Sequence, residues 1–289
     1  MNYNIAITEK NLLTNPTMKK NILLAFIICC SLQCFAQNPI PAGKEMKRVL
    51  LFGGMAHLGN GKIIETSAIS LKDGKIVFVM DSRGFKPARD AYDTIIDLTG
   101  KHVYPGFIAM GTQIGLNEIE LVRSTNDFNE TGQLNPSARA IIAYNTDSKI
   151  TPTVRTNGIL TAQIAPLGGL LSGTSSVVSL DAWNWEDAAY KTDEGIWMNW
   201  PSMRIVKASW AGTEEEQQTR FEKSMKMLTQ FFNDAKAYNE LGMPAIHNQH
   251  FESMKALFNG TKKLYVRASL ARDIIDAVNF CKLNKVQMV

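Results

Sequence analysis

The sequence predicts an α/β protein in which a small antiparallel β unit precedes an α/β barrel or doubly wound domain. Three observations support this fold class. Short apolar runs alternate with turn signals over residues 47–96, which is typical of antiparallel strands. After Lys101, strand-like runs alternate with segments of helical length, as they do in βα units. The longest of these segments, residues 214–241, has its apolar residues at a helical period of about 3.6.

The composition is that of a folded globular protein. The chain has 289 residues, of which 45% are hydrophobic and 20% are charged, and these values exclude a disordered tail, a collagen-like fibre and a small disulfide scaffold. The formal net charge of +4 is too small to indicate a nucleic acid or an anionic membrane as a partner. A small-molecule substrate or ligand is the expected partner, and a homo-oligomer is compatible with the sequence.

The N-terminal region has the three-part layout of a secretory signal peptide. A pair of lysines precedes the apolar run 22–30, and the small residue Ala36 closes the segment. The run is too short for a resident transmembrane helix. We therefore expect residues 1–36 to be removed, with translation starting at Met18. The mature protein is expected to be exported, to the periplasm or outside a bacterial cell, without stable membrane insertion.

The cysteines are consistent with export. Three of the four fall in the predicted signal peptide, so the mature chain keeps only Cys281 and cannot form an internal disulfide. A lipid attached at Cys34 is the less favoured alternative, because the preceding Gln33 is bulkier than such sites tolerate. Cys281 lies at helical spacing from several apolar residues, so we interpret it as a core residue rather than a nucleophile.

The β unit is predicted over residues 37–104. Its main apolar runs are 49–52, 68–71 and 76–79. The dipeptide Asp73-Gly74 separates the last two runs and is a strong signal for a two-residue hairpin turn. We therefore expect antiparallel pairing in this unit.

The remaining chain, residues 105–289, is predicted to alternate strands with helices. Buried strands are expected at 103–108, 158–165, 175–180, 264–266 and 286–289. Thr213 and Glu216 form a capping box at the start of the long helix, and Gly242 marks its end. A second helix is expected after Ser269.

All five tryptophans fall between residues 183 and 210, in a segment without clear periodicity. We interpret this segment as a long loop that packs over the barrel face as a satellite core. A loop that caps a ligand pocket is the alternative, because loops of this length often carry function.

Several segments together carry a family resemblance. They are Ile69-Ser70-Leu71-Lys72-Asp73-Gly74-Lys75-Ile76, Ile96-Asp97-Leu98-Thr99-Gly100-Lys101, His102-Val103-Tyr104-Pro105-Gly106-Phe107-Ile108, Asn157-Gly158-Ile159-Leu160-Thr161 and Pro166-Leu167-Gly168-Gly169. In this order they resemble the amidohydrolase superfamily, specifically its imidazolonepropionase-like branch. The resemblance implies a β-sandwich over residues 37–104 and a TIM-like (β/α) barrel over residues 105–289. It also implies a hydrolase that acts on carbon–nitrogen bonds other than peptide bonds, in small cyclic or linear amides.

The resemblance breaks at the metal-binding positions. Family members follow the Pro-Gly-Phe-Ile strand with Asp-x-His-x-His, in which two imidazoles on one strand face bind a divalent metal. The corresponding positions here are Gly111, which has no side chain, and Gln113, which offers a neutral amide. Arg267 stands where a later strand of the family carries a histidine, and its permanent charge repels a divalent ion. We therefore expect no cofactor in this chain; zinc or another divalent metal belongs to the family mechanism, where it activates water.

The chain is also shorter than the family's barrel. A complete barrel takes about 250 residues, more than residues 105–289 provide, and the last five residues resemble a strand rather than a tail. We therefore expect the barrel to be truncated at its C-terminus and the sequence to be a fragment of a longer product.

Polar residues around the barrel mouth are the candidate ligand-binding set. TIM-barrel sites form at the C-terminal edge of the strands, and the segment after the first barrel strand lies at that edge. The candidates are Gln113, Glu118, Arg123 and Arg267, with Asp127 beside them. The alternative for this segment is a surface helix in which Glu120 and Arg123 pair.

The other motifs carry weaker signals. His247 and His250 are three residues apart near a helix start, but they lack a set of carboxylate partners and favour a solvated surface. His57 and His102 are isolated in the β unit and are interpreted as structural. The run Gly173-Thr174-Ser175-Ser176 offers an anion nest but lacks the lysine and the spacing of a P-loop.

The favoured hypothesis is an exported amidohydrolase-superfamily protein whose metal site is degenerate in this chain. By resemblance it is a hydrolase of carbon–nitrogen bonds, but no catalytic residue is assigned and its enzymatic activity stays open. The alternative is a non-catalytic periplasmic binding protein for a small anionic ligand, with Arg123 and Arg267 supplying the charge.

Overall fold

The computed structural model describes residues 47–242 and 245–289, together with Pro41 and residues 20, 21, 23 and 24. The predicted signal peptide lies outside the described residues apart from those last four positions. The described residues from Pro41 onward belong to one compact unit. No helix in the described part of the chain is both long and apolar enough to cross a membrane.

Two small β-sheets open this unit. The larger contains β1 (Arg48–Phe52), β4 (Ser67–Lys72), β5 (Lys75–Asp81) and β6 (Thr94–Asp97), in the order β5-β4-β1-β6. The smaller contains β2 (Met55–His57), β3 (Ile63–Ile64) and β7 (His102–Val103), in the order β3-β2-β7.

The predicted hairpin is confirmed, but the purely antiparallel pairing is wrong. β4 and β5 pair antiparallel through a turn in which Asp73 and Gly74 both have positive φ, at 52° and 70°. However, β6 pairs parallel to β1, and β7 pairs parallel to β2. The hairpin lies between β1 and β6 in the sequence, so the chain returns to the free edge of β1 in the same direction.

A five-stranded sheet forms the second part of the unit. It contains β8 (Phe107–Thr112), β9 (Ile159–Ile164), β10 (Leu171–Ser179), β11 (Ala189–Asn199) and β12 (Lys263–Arg267), in the order β12-β11-β10-β9-β8. β8 is parallel to β9, and β11 is parallel to β12, whereas β10 is antiparallel to both of its neighbours. Four strands therefore run in one direction and β10 runs against them.

The sequence had suggested a long loop for the segment that contains the tryptophans. In the structure only part of this segment is a loop. Its first half holds β11, the longest strand of the sheet, and Trp197 lies within that strand. The strand predicted at 175–180 also begins earlier, at Leu171. Register shifts between β10 and β11 break the regular alternation of side chains, which explains why periodicity was not visible in the sequence.

The strand predicted as buried at 103–108 divides into two elements. His102 and Val103 belong to β7, and β8 begins only at Phe107, after a Tyr-Pro-Gly segment. Phe107 and Ile108 are 65% and 63% exposed. β8 pairs only with β9 and forms an edge of the sheet, so its outer side has no neighbouring strand among the described residues.

Five α-helices lie in the described chain from residue 47 onward. They are α1 (Ile150–Thr156), α2 (Trp185–Ala188), α3 (Glu214–Glu240), α4 (Gln249–Phe258) and α5 (Ala271–Asn284). The predictions of α3 and α5 are confirmed, and so is the capping box: Glu216 N donates to Thr213 Oγ1 at 3.2 Å, and Thr213 N donates to Glu216 Oε2 at 3.0 Å. The surface helix considered after β8 does not form, because that segment makes turns.

Two apolar clusters pack against the sheet. The larger joins Ile196, Met198 and Leu264 of the sheet to the apolar faces of α3, α4 and α5, with Phe232 among the most buried side chains. The smaller joins β9 and the end of β10 to Leu116, Ile141 and neighbouring residues. Cys281 is buried in the larger cluster, which confirms its interpretation as a core residue, and burial raises the pKa of its thiol to about 11. The predicted terminal strand also pairs, since Val289 N donates to Leu264 O at 2.9 Å.

Phe232→Ala tests the larger cluster. Phe232 is 1% exposed, so its truncation should lower the free energy of unfolding by about 3–5 kcal/mol through lost burial and a residual cavity. The matched control is Phe107→Ala, which removes the same ring from an exposed site and should change stability by about 0.5 kcal/mol or less. Urea unfolding of both variants checks this, and equal losses would contradict the assigned core.

Tyr144→Phe tests the smaller cluster through pH. Tyr144 is 6% exposed, and burial raises the pKa of its phenol to about 12. The folded state thus holds this proton more tightly than the unfolded state, so the stabilisation is complete below pH 10 and is lost as pH rises from about 10 to 12. Denaturation at pH 9 to 12 should show a smaller alkaline loss in Tyr144→Phe, by roughly 2–3 kcal/mol. Tyr190→Phe, at a ring that is 70% exposed, should follow the unmodified protein, and an unchanged slope for Tyr144→Phe would refute the assignment.

Candidate functional site

Polar side chains meet where the four co-directional strands end. Gln113 follows β8, Pro166 follows β9, and Asn199 and Arg267 are the last residues of β11 and β12. Arg267 Nη1 donates to Pro166 O at 3.0 Å and to Asn199 Oδ1 at 3.4 Å. Asn199 Nδ2 in turn donates to Gly169 O at 2.8 Å. Arg267 therefore links three strand ends at this edge.

An aromatic and cationic stack lies on the sheet face opposite the larger cluster. The guanidinium carbon of Arg267 lies 4.1 Å from the ring centre of Trp197. The ring of Tyr265 lies 4.9 Å from that of Trp197, with 13° between the planes. Side chains alternate along a strand, so Ile196 and Met198 enter the apolar cluster while Trp197 points to the other side. We call this side the polar face, defined by Gly111, Gln163, Glu194, Trp197, Tyr265 and Arg267.

A carboxylate at the centre of the polar face is fully hydrogen-bonded. Glu194 Oε1 accepts from Ser175 Oγ at 2.6 Å and from Gln163 Nε2, and Glu194 Oε2 accepts from Tyr265 OH at 3.0 Å. Gln163 Oε1 accepts from the backbone N–H of Gly111 at 3.2 Å. Burial, reinforced by the carboxylate of Glu194, raises the pKa of the Tyr265 phenol above its ordinary value. Tyr265 therefore stays a protonated donor at neutral pH.

A bulge in β11 places Glu194 on this face. Ser175 pairs with Gly195 and Val177 pairs with Lys191, so β11 has two more residues than β10 between these pairs. Asp193 absorbs the irregularity with a positive φ of 47°, a conformation that costs non-glycine residues energy. Its carboxylate is held by Thr174 Oγ1 and Arg139 Nε, both at 2.8 Å. These bonds compensate the strained backbone and fix the bulge.

The positions expected to hold a metal do not fit one. A Cβ at Gly111 would lie 2.8 Å from Cη2 of Trp197, so the indole fills the space beside this position. Gln113 uses its amide nitrogen as a donor, to Gly111 O at 3.3 Å and Ala165 O at 3.4 Å. Arg267 brings a cation. These three positions offer a divalent ion neither a group of lone-pair donors nor a negative charge. Among the described residues, no three His, Cys, Asp or Glu side chains group closely enough to bind one metal.

A cavity of about 610 Å³ lies beside the same strand edge. Its lining includes Pro166 and Ser172 from the edge, and the charged residues Asp127, Glu130 and Arg139. Because Arg139 is paired with Asp193, the cavity is connected to the bulge in β11. A small polar molecule has room here next to the polar face.

The structure brings together only part of the candidate set. Gln113 and Arg267 donate to the adjacent carbonyls Ala165 O and Pro166 O. Glu118 instead accepts a hydrogen bond from Asn145 Nδ2 at 3.1 Å. Arg123 lies on an exposed 3₁₀ turn. No described hydrogen bond or ion pair joins either residue to Arg267. Asp127 lines the cavity.

His57 and His102 take an unexpected position, whereas His247 and His250 are exposed, as a surface location predicts. His57 Nε2 lies 2.9 Å from His102 Nδ1, so these two residues are paired rather than isolated. His250 Nδ1 lies 3.0 Å from Ser137 Oγ, one of the residues that line the cavity.

Sequence reasoning missed four residues of the polar face: Gln163, Glu194, Trp197 and Tyr265. One usable signal was present. Ile196, Trp197 and Met198 form a short apolar run, which is consistent with part of a buried strand but does not alternate with polar residues.

Comparison with known proteins indicates a fold but no sequence family. No family model matches the chain, and no curated protein matches its sequence. The structure is similar to a crystal structure of an amidohydrolase from Thermotoga maritima MSB8, with a TM-score of 0.70 and 18% sequence identity. The match covers 83% of this chain and 63% of the other, so the chain spans less than two thirds of that protein's length. The amidohydrolase fold is thereby supported in its general outline.

Gly111→Ala tests the contact with Trp197. Gly111 has a φ of 61°, and an added methyl group would meet the indole, so we expect a loss of about 2–5 kcal/mol from backbone strain and overpacking together. The control is Gly61→Ala, where φ is 85° but no atom lies within 4 Å of the new Cβ, and the loss should be about 1–2 kcal/mol. Chemical denaturation measures both values. If Gly111→Ala costs no more than Gly61→Ala, the indole does not fill this space.

Proposed function

We propose that the polar face binds a small anionic molecule without a metal, on an amidohydrolase-like fold. The observation that carries this proposal is a pair of unsatisfied donors. Trp197 Nε1 and Arg267 Nη2 are buried and have no hydrogen-bond partner among the described residues. Both belong to the same stack, and both can only donate. Since leaving a buried donor unpaired costs about 1–3 kcal/mol, a ligand with acceptor oxygens would bind favourably here.

The charge of Arg267 favours an anion over a neutral acceptor. Burial lowers the pKa of its guanidinium, but arginine remains a cation in proteins. None of the ion pairs formed by the described residues includes Arg267. A partly desolvated cation without a counter-ion is unfavourable, and a carboxylate or phosphate group would compensate it through charge-assisted hydrogen bonds.

Hydrolysis of non-peptide carbon–nitrogen bonds is the second candidate function. The similarity in fold to an amidohydrolase favours it. It ranks second because the contacts of Gly111, Gln113 and Arg267 provide no metal ligand. Release of amine or ammonia from a panel of small cyclic and linear amides would place hydrolysis first.

We further propose that the protein acts after export, as its N-terminal sequence indicates.

Titration with small anions tests the binding proposal. The probes are acetate, succinate and inorganic phosphate, each added to the full chain in an isothermal calorimeter. We expect at least one of them to bind, and Arg267→Gln to weaken that binding at least about tenfold, because a charge-assisted hydrogen bond contributes about 1.5–3 kcal/mol.

Arg272→Gln is the matched control. Arg272 is an exposed arginine of α5 whose Nε lies 3.9 Å from Asp276 Oδ2. Because it lies outside the polar face, its replacement should leave anion affinity unchanged. Failure of all three probes to bind the unmodified protein would contradict the proposal. So would an equal effect of Arg267→Gln and Arg272→Gln.

A further inference from the structure

We propose that His57 and His102 form a two-imidazole site for a late-transition-metal ion such as zinc, nickel or copper. The pair lies in the small sheet of β2, β3 and β7, outside the five-stranded sheet that carries the polar face. The proposal is therefore independent of the anion site.

The fold brings the two rings together from distant parts of the sequence. Parallel pairing aligns Met55 with His102 and Ala56 with Val103. His57 Nε2 and His102 Nδ1 are 2.9 Å apart, whereas the ring centres are 5.2 Å apart and the ring planes differ by 20°. The two nitrogens therefore face each other edge to edge, with their in-plane lone-pair directions converging on the space between the rings.

Tyr104 orients this pair from one side. Its ring lies 4.3 Å from that of His57, with only 10° between the planes. Tyr104 is 59% exposed and His102 is exposed as well, so an ion can reach the pair from solvent. The ring of His102, which is the exposed one of the pair, would have to swing away from His57 for both nitrogens to sit about 2.0–2.1 Å from one ion.

The chemistry of the pair suits a borderline metal. Without metal, the hydrogen bond uses the N–H of one ring and the lone pair of the other. Metal binding needs both facing nitrogens unprotonated, so one proton moves to the outer nitrogen of its own ring, either Nδ1 of His57 or Nε2 of His102. Two neutral rings thus bind the ion without net proton release, and water fills the remaining coordination positions. Imidazole is a good ligand for zinc, copper and nickel.

Such an ion would cross-link the two short strands β2 and β7. Only two residue pairs join β2 to β7. An ion held by one histidine from each side adds a cross-link between them. Because a ligand that binds only the folded state stabilises it, we expect bound metal to raise the thermal unfolding midpoint.

Calorimetric titration with zinc chloride and nickel chloride tests the site. All proteins carry Cys29→Ser, Cys30→Ser and Cys34→Ser in the full chain, because free thiolates bind the same metals. We expect one ion per chain. His57→Gln and His102→Gln should each weaken binding at least tenfold, and each should abolish the rise in unfolding midpoint that the metal produces.

The matched control removes the other two histidines. The double variant His247→Gln with His250→Gln loses two imidazoles, one more than either single variant, and should bind as the parent does. Absence of binding to the parent overturns the proposal, as does binding that survives in both single variants or is lost in the control. Circular dichroism without metal verifies that each variant is folded. If one single variant is unfolded, the other one and the control still decide the outcome.

Discussion

The arrangement of the polar face depends first on the close contact between the β8 backbone and the indole of Trp197. Gly111 admits this approach because it has no Cβ and adopts a positive φ of 61°. Any larger residue there would displace the ring. The indole in turn supports the guanidinium of Arg267, which links the ends of β9, β11 and β12. Glycine at 111, tryptophan at 197 and arginine at 267 thus form one packed arrangement.

The apolar cluster on the opposite side holds this arrangement in place. Ile196 and Met198 flank Trp197 along β11, and both are fully buried against the helices. Their burial holds the backbone of β11, and with it the Cα of Trp197, in place, because close-packed interiors resist such shifts. The bulge at Asp193 then adds a single carboxylate, Glu194, whose oxygens are satisfied by its neighbours. A rigid face with paired acceptors and two unpaired donors favours binding of an acceptor.

The sequence predicted the elements whose signals are local. The capping box and apolar stripe of α3, the helix α5 and the Asp73-Gly74 turn each depend on residues close in sequence, and all four are present. The direction of β10 and the exposure of β8 depend on which strands become neighbours, and no local pattern encodes that. The same reason explains the site. Gly111, Gln113 and Arg267 were found through a motif, whereas Trp197 and Glu194 lie on a strand whose bulge masks its period. The pairing of His57 with His102 joins two short strands across 45 residues, and it leaves no trace in sequence spacing.

We propose that the indole of Trp197 and the guanidinium of Arg267 leave no place for a divalent ion beside Gly111 and Gln113. Anomalous diffraction from a crystal of this protein grown with excess zinc, collected at the zinc absorption edge, tests it directly. We expect no anomalous peak among Gly111, Gln113 and Arg267, with the ring of Trp197 in contact with the β8 backbone. An anomalous peak at that place, with the ring displaced to admit the ion, would contradict it.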